Sequence, residues 1–136
     1  MAATGKRSNG GAGAMRAGLD LGGTKVLAAV VDGRNRLRGE AKRATPSDGG
    51  PASVVTALAE ALREAAEAAG TSPDALTGVG VGSPGAVDAR AGVVADASNL
   101  PGFSERPVPL AEALQQEVGA PVRLGNDVDV GVRGAP

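Results

Sequence analysis

The stretch Gly18-Leu19-Asp20-Leu21-Gly22-Gly23-Thr24-Lys25-Val26 leaves the backbone few options. An apolar run ends in a carboxylate, the chain turns through two glycines, and it leaves on a hydroxyl and a lysine into a second apolar run. Two such runs joined by so short a segment read as antiparallel strands. Gly22-Gly23 reads as the two-residue hairpin turn, because glycine supplies the positive φ that such turns use. Taken alone, the stretch is an ordinary hairpin whose charges face water. A turn of bare backbone N–H groups beside Thr24 and Lys25 is also suited to hold a phosphate. It is not the Walker A loop, which needs Gly-x-x-x-x-Gly-Lys-Ser/Thr leading into a helix.

From this hairpin the rest of the chain can be laid out in order. Residues 1–14 are rich in Gly, Ala, Ser and Thr and read as a flexible leader. Strands are expected over 15–21, 24–31 and 37–43, with Asp32-Gly33 as a turn, so that the three form a meander. A helix follows over 51–69. Val54, Leu58, Leu62, Ala65 and Ala69 recur at steps of three or four, and Val55 widens the stripe. Arg63 and Glu67 are spaced to pair on the other face. Pro51 suits the first turn, Gly70 the position just past the end, and Pro73 a stop beyond it. A fourth strand is expected over 76–81, running into the sharp loop Gly82-Ser83-Pro84-Gly85. A small hairpin is expected over 86–94 and a short helix over 109–118. A fifth strand over 122–124 then delivers Asn126-Asp127 to the sheet edge.

The order β-β-β-α-β-α-β implies an α/β fold with a mixed five-stranded sheet and right-handed crossovers. In such sheets ligands gather beyond the carboxyl ends of the central strands. Asp20, the loop from Gly82 to Gly85, and Asn126-Asp127 all fall at strand ends, so all three are expected at one crevice. That convergence turns the reading of Gly22-Gly23 from an ordinary turn towards a phosphate-holding one.

Composition narrows the chemistry. Of 136 residues 42% are hydrophobic, enough for one core, yet Phe103 is the only aromatic, so that core is built from Ala, Val and Leu. Net charge is −1, which gives no electrostatic footprint for nucleic acid or an anionic membrane, and no aromatic platform exists for stacking bases. Cysteine and histidine are absent, which removes disulfides, thiol catalysis, imidazole bases and a Cys/His zinc site from this chain. Acid–base chemistry falls to Asp, Glu or Lys. With no apolar run of membrane length and no secretory pattern, a cytoplasmic protein is expected.

Several pieces together resemble the ROK family of repressors and sugar kinases. They are Asp20-Leu-Gly-Gly-Thr-Lys25, Gly80-Val-Gly-Ser-Pro-Gly-Ala-Val-Asp88, Gly92-Val-Val, Asn99-Leu-Pro-Gly-Phe103 and Pro121-Val-x-Leu-x-Asn-Asp127. Each is short, but in this order and at these intervals they are specific, and they cover residues 18–127. The resemblance implies an actin-like ATPase (ribonuclease H-like) lobe over 15–127 and an ATP-dependent kinase acting on a hexose such as glucose or an N-acetylhexosamine. It implies that Asp127 is the base taking the proton from the attacking sugar hydroxyl, which a carboxylate at a strand end facing a cleft can do. Aspartate is equally favoured as a helix cap, and the two roles are compatible.

Further roles follow from the resemblance. Asn126, Gly85 and Asn99 match sugar-contacting positions. Gly22, Gly23, Thr24 and Lys25 match the hairpin that holds the ATP phosphates. Asp20 matches a carboxylate near Mg²⁺, acting through water as that ion prefers. The expected partners are hexose and ATP, without nucleic acid or membrane, and the resemblance allows a homo-oligomer of the family type.

The resemblance also has limits. The family's second lobe, with its further phosphate and adenosine motifs, its Glu-x-x-His pair and its zinc loop, has no counterpart here. Residues 128–136 diverge, carrying two glycines and placing Ala135 where the family has Glu. A truncated, poorly active fragment with an apolar inter-lobe face is therefore expected. The alternatives are a non-catalytic sugar-binding remnant, or a sugar-responsive ROK regulator lacking its helix-turn-helix.

Overall fold

The computed structural model describes residues 14–126, so the greater part of the expected leader, the divergent tail and Asp127 lie outside the described residues. β1 (Arg16–Leu21) and β2 (Lys25–Val31) form the expected antiparallel hairpin, and β3 (Leu37–Ala44) completes the meander. β4 (Val79–Gly82) and β7 (Val122–Gly125) add to the other side of β1, both parallel, and give the sheet order β3-β2-β1-β4-β7. β5 (Ala86–Asp88) and β6 (Val93–Ala95) form a separate two-stranded ribbon. The mixed five-stranded sheet read from the sequence is thus the one observed.

α1 (Gly50–Ala68) lies over β2 and β3, and α2 (Leu110–Val118) packs beside it and against β7. The buried arc of α1 is wider than its predicted stripe, taking in Ala57, Ala59, Ala61 and Ala66 as well. Flanked by both the sheet and α2, the helix buries more than one face, and alanine is small enough to allow it. Gly70 follows the helix at φ 80°, with its N–H on the Glu67 carbonyl and the Thr71 N–H on that of Ala66. These two bonds satisfy the last carbonyls of the helix.

Gly39, on β3, sits directly under the last turns of α1. A Cβ there would lie 2.2 Å from the Ala65 carbonyl oxygen and 2.8 Å from the Ala69 nitrogen. Phe103 is the largest of the fully buried side chains among the described residues, followed by Leu19, Leu58, Leu62, Leu110 and Leu114.

Three expectations need correction. Residues 76–78 are not strand: Pro73–Ala75 forms a 3₁₀ turn whose Pro73 carbonyl accepts from the Leu76 N–H, and Leu76 is buried as a plug before β4 begins. Arg63 does not turn to Glu67 along its own helix. It reaches across to α2, 3.7 Å from the Glu117 carboxylate and 3.2 Å from the Glu117 carbonyl. Leu37 is the only exposed large hydrophobic side chain among the described residues, so no broad apolar face is open there.

Asp32 does more than mark a turn. It is fully buried, and its carboxylate accepts the N–H groups of Arg34 at 2.8 Å and Arg36 at 3.1 Å, with the Arg36 Nε at 3.3 Å. Arg38 adds a second guanidinium at 3.6 Å, and Arg16 bridges to the Asp32 carbonyl and the Asn35 side chain. Burial by itself would raise the Asp32 pKa, but the two backbone donors and the Arg36 charge more than offset it and hold it below the ordinary value of 3.8. A depressed folded-state pKa contributes stability that is present above the unfolded-state value and lost as pH falls through the folded one. Asp32→Asn is therefore expected to lower the melting temperature at neutral pH and to flatten its decline below about pH 4. Thermal melts at stepped pH check this, and an unchanged acid limb would refute it.

Candidate nucleotide and sugar site

The parallel register fixes where the three strand-end segments emerge. Asp20 is paired with Gly82, and Gly82 with Gly125, so β1, β4 and β7 end side by side. The Ser83 N–H donates to the Gly125 carbonyl at 2.9 Å and carries the alignment one residue further. The loop after β4 and the segment after β7 are then tied directly. The Asn126 side-chain amide donates to the carbonyls of Ser83 at 3.2 Å and Gly85 at 2.9 Å. With its NH₂ engaged in this way, Asn126 offers a ligand chiefly its Oδ1 acceptor.

Gly85 has φ 88°. A Cβ there would stand 2.5 Å from the Ala95 carbonyl oxygen and 2.9 Å from the Ala97 Cβ. Glycine is required at this point both by the left-handed backbone and by the close packing of the loop on the β5–β6 ribbon. The ribbon is braced in turn: Val94 and Val108 exchange backbone bonds at 2.9 and 2.8 Å, and the Gly92 carbonyl accepts from the Ala111 N–H at 3.1 Å.

The β1–β2 turn departs from the sequence reading in two respects. With Leu21 opposite Val26 and the Gly22 N–H on the Lys25 carbonyl at 3.0 Å, its two central residues are Gly23 and Thr24 rather than Gly22 and Gly23, and left-handed glycine does not form it. Neither Gly22 nor Gly23 adopts a left-handed φ, so these glycines are not there for backbone conformation. A Cβ on Gly22 would meet the Lys25 carbonyl at 3.1 Å, and one on Gly23 would lie 2.7 Å from the Asn99 Nδ2. The Gly22 contact is a tight one with backbone inside the same hairpin. The Gly23 contact is with the end of the Asn99 side chain, which can move aside, and it places Asn99, from the otherwise irregular segment after β6, directly against the turn. Sequence reasoning had placed these residues in one cleft without placing them in contact.

Thr24 and Lys25 are exposed, Asp20 is half-buried, and Asn99, Gly85 and Asn126 are open to solvent. The N–H groups of Gly23 and Thr24 make no backbone hydrogen bond among the described residues. A bare turn with two available N–H groups, a hydroxyl and a lysine suits the oxygens of a phosphate. Asp20, at the end of β1, is a half-buried carboxylate on the same side of the turn. The described residues contain no cluster of three or more metal-ligating side chains. None of their helices is long and apolar enough to cross a membrane.

The sequence missed two residues that shape this site. Thr45 follows β3 and holds the turn from beneath, and Ser83 is buried at the root of the loop. Neither stands in a periodic pattern, and a lone Thr before Pro46 or a Ser between glycine and proline reads only as loop chemistry.

A mixed sheet whose central strands end together beneath such loops, with helices packed on it, is the architecture of an actin-like ATPase lobe. The model of the ROK family matches residues 16–133. A glucokinase of Thermotoga maritima is 31% identical over 117 residues, which are 86% of this chain and 35% of that protein. Among solved structures, a ROK hexokinase from Thermus thermophilus superposes with a TM-score of 0.70 at 39% identity, over 82% of this chain and 34% of that one. A ROK glucokinase from Streptomyces griseus, solved in complex with glucose and AMPPNP, gives a TM-score of 0.69 at 35% identity, over 82% of this chain and 33% of that one. The chain belongs to the ROK family. It spans about a third of the length of the relatives it matches.

Proposed function

We propose that these residues form the phosphate-holding and hexose-contacting lobe of an ATP-dependent sugar kinase whose substrate is glucose or an N-acetylhexosamine. The observation that carries this reading is the meeting of Gly23 with Asn99 beside the aligned ends of β1, β4 and β7. Groups suited to a phosphate and groups suited to a sugar are thereby set along one edge. The relatives that superpose on the chain include a hexokinase and a glucokinase bound to glucose and an ATP analogue.

In this reading Gly22, Gly23, Thr24 and Lys25 hold the ATP phosphates, the turn through its N–H groups and Lys25 as a point charge. Asp20 orients water around Mg²⁺, whose charge would offset that of the phosphates. Gly85, Asn99 and Asn126 line the sugar side, and Asp127, which lies outside the described residues, takes the proton from the attacking hydroxyl. Dependence on ATP implies action in the cytoplasm. Phosphoryl transfer needs groups on both sides of its cleft, and these residues form one of the two sides.

Amide NMR on ¹⁵N-labelled protein tests the reading. AMPPNP with Mg²⁺ should shift Gly22 to Lys25, and glucose or N-acetylglucosamine should shift Gly85, Asn99 and Asn126. Any glucose-dependent ADP release should fall about 10²-fold or more in Asp127→Asn. Sugar shifts without nucleotide shifts would make the chain a sugar-binding module instead. Silence at both sets of residues would end the proposal.

A further inference from the structure

Thr45 touches the hairpin turn twice. Its Oγ1 donates to the Gly22 carbonyl at 2.8 Å, and its N–H donates to the Thr24 carbonyl at 3.0 Å. The residue is 8% exposed, so both bonds are sheltered from competing water. We infer that Thr45 is a positioning residue for phosphate binding: it draws the Gly22 and Thr24 carbonyls away from the ligand and so helps to make the turn an anion site. The inference rests on reading the hairpin as the phosphate cradle and names what builds that cradle.

The physical argument is local. A bare turn presents oxygens as readily as N–H groups, and a carbonyl dipole aimed at a phosphate repels it. In a planar trans peptide the C=O and the following N–H point in opposite directions. Holding the Gly22 oxygen down on Thr45 therefore turns the Gly23 N–H outward, on the side away from β3. Holding the Thr24 oxygen on the Thr45 N–H withdraws the second carbonyl. The backbone bond survives any substitution except proline, whereas the bond to Gly22 belongs to the hydroxyl alone. Thr45 does not touch the phosphate in this scheme, and the effect of its hydroxyl passes entirely through the peptide plane between Gly22 and Gly23.

The hydroxyl can be removed at constant shape. Thr45→Val is expected to weaken AMPPNP–Mg²⁺ binding about tenfold, the worth of one well-made hydrogen bond, with the glucose-induced shifts of Gly85 and Asn126 unchanged. Thr45→Ser keeps the donor and should bind within about twofold of the parent. That split between nucleotide and sugar, with rescue by serine, is not what general loosening of the fold would give. Calorimetry and amide NMR on the three proteins read both ligands. If Thr45→Val does not fold, Thr45→Ala set against Thr45→Ser isolates the hydroxyl in the same way. Equal nucleotide binding by the parent and Thr45→Val would overturn this inference while leaving the phosphate reading intact. Equal loss of both ligands, or failure of Thr45→Ser to rescue, would also overturn it. Absence of nucleotide binding by the parent would remove the phosphate reading and this inference together.

Discussion

Gly39→Ala is expected to destabilise the chain by about 3 kcal/mol, the upper end for forcing a methyl group into a packed interior, and Gly39→Val to prevent folding. The new Cβ would stand 2.2 Å from the Ala65 oxygen and 2.8 Å from the Ala69 nitrogen. Both are backbone atoms of one helix, so no rotamer change relieves the contact and α1 itself has to lift from β3. Lifting it would open the seam in which Leu58, Leu62 and Ala65 are fully buried. It would also separate Arg43 from Glu60 and Glu64, each 3.4 Å away across the same seam, although exposed pairs of this kind contribute little. Urea denaturation followed by circular dichroism measures the effect. A midpoint for Gly39→Ala within error of the parent would show that α1 does not sit as described.

The second large effect is expected at Gly85. Alanine there meets two penalties at once. The left-handed conformation at φ 88° costs a residue with a Cβ about 1–2 kcal/mol. The contact at 2.5 Å with the Ala95 carbonyl adds about 1–3 kcal/mol of overpacking. We expect a total near 3 kcal/mol in the same denaturation experiment, with a local signature that Gly39→Ala lacks. Because the Asn126 amide is bonded to the Gly85 carbonyl, its side-chain NH₂ resonances should move in Gly85→Ala and stay in place in Gly39→Ala. Unmoved Asn126 resonances in Gly85→Ala would contradict the described link between the β4 loop and the end of β7.

The sheet was legible in the sequence because its signals are local. The two apolar runs about Gly22-Gly23 and the stripe of Val54, Leu58 and Leu62 name a hairpin and a helix without reference to anything distant. The strand ends could be placed on one edge for the same reason, since alternating strands and helices leave little choice of topology. What could not be read depends on partners far along the chain. Gly39 is glycine because of Ala65, and Gly85 because of Ala95 as well as its left-handed backbone. In each case the sequence shows a small residue but not the neighbour that requires it. The assignment of positive φ to Gly22-Gly23 failed for another reason: the chain turns one residue later, at Gly23-Thr24, and the neighbour of Gly22 is Lys25 within the same hairpin. Arg63 is similar, because its choice of Glu117 over Glu67 is decided by where α2 lies. Asp32 is different: its partners, the N–H groups of Arg34 and Arg36 and the guanidinium groups of Arg36 and Arg38, are near it in sequence, but the turn pattern does not show that its carboxylate is buried.

The two outer strands of the sheet bear on how the protein behaves in a crowded solution. An open sheet edge is a template on which a neighbouring molecule can add a strand. β3, at one edge, carries Arg38, Glu40, Lys42 and Arg43, all exposed. A strand arriving there would have to strip water from alternating charges. β7, at the other edge, is four residues long, and the N–H of Val122 is taken by the Gln115 side chain at 3.1 Å. One border is guarded by charge, and the other by brevity and a side chain folded over it. Copies of this chain are therefore discouraged from joining sheet to sheet, and a core assembled largely from alanine, valine and leucine gains some protection against the aggregation to which strand-rich folds are prone.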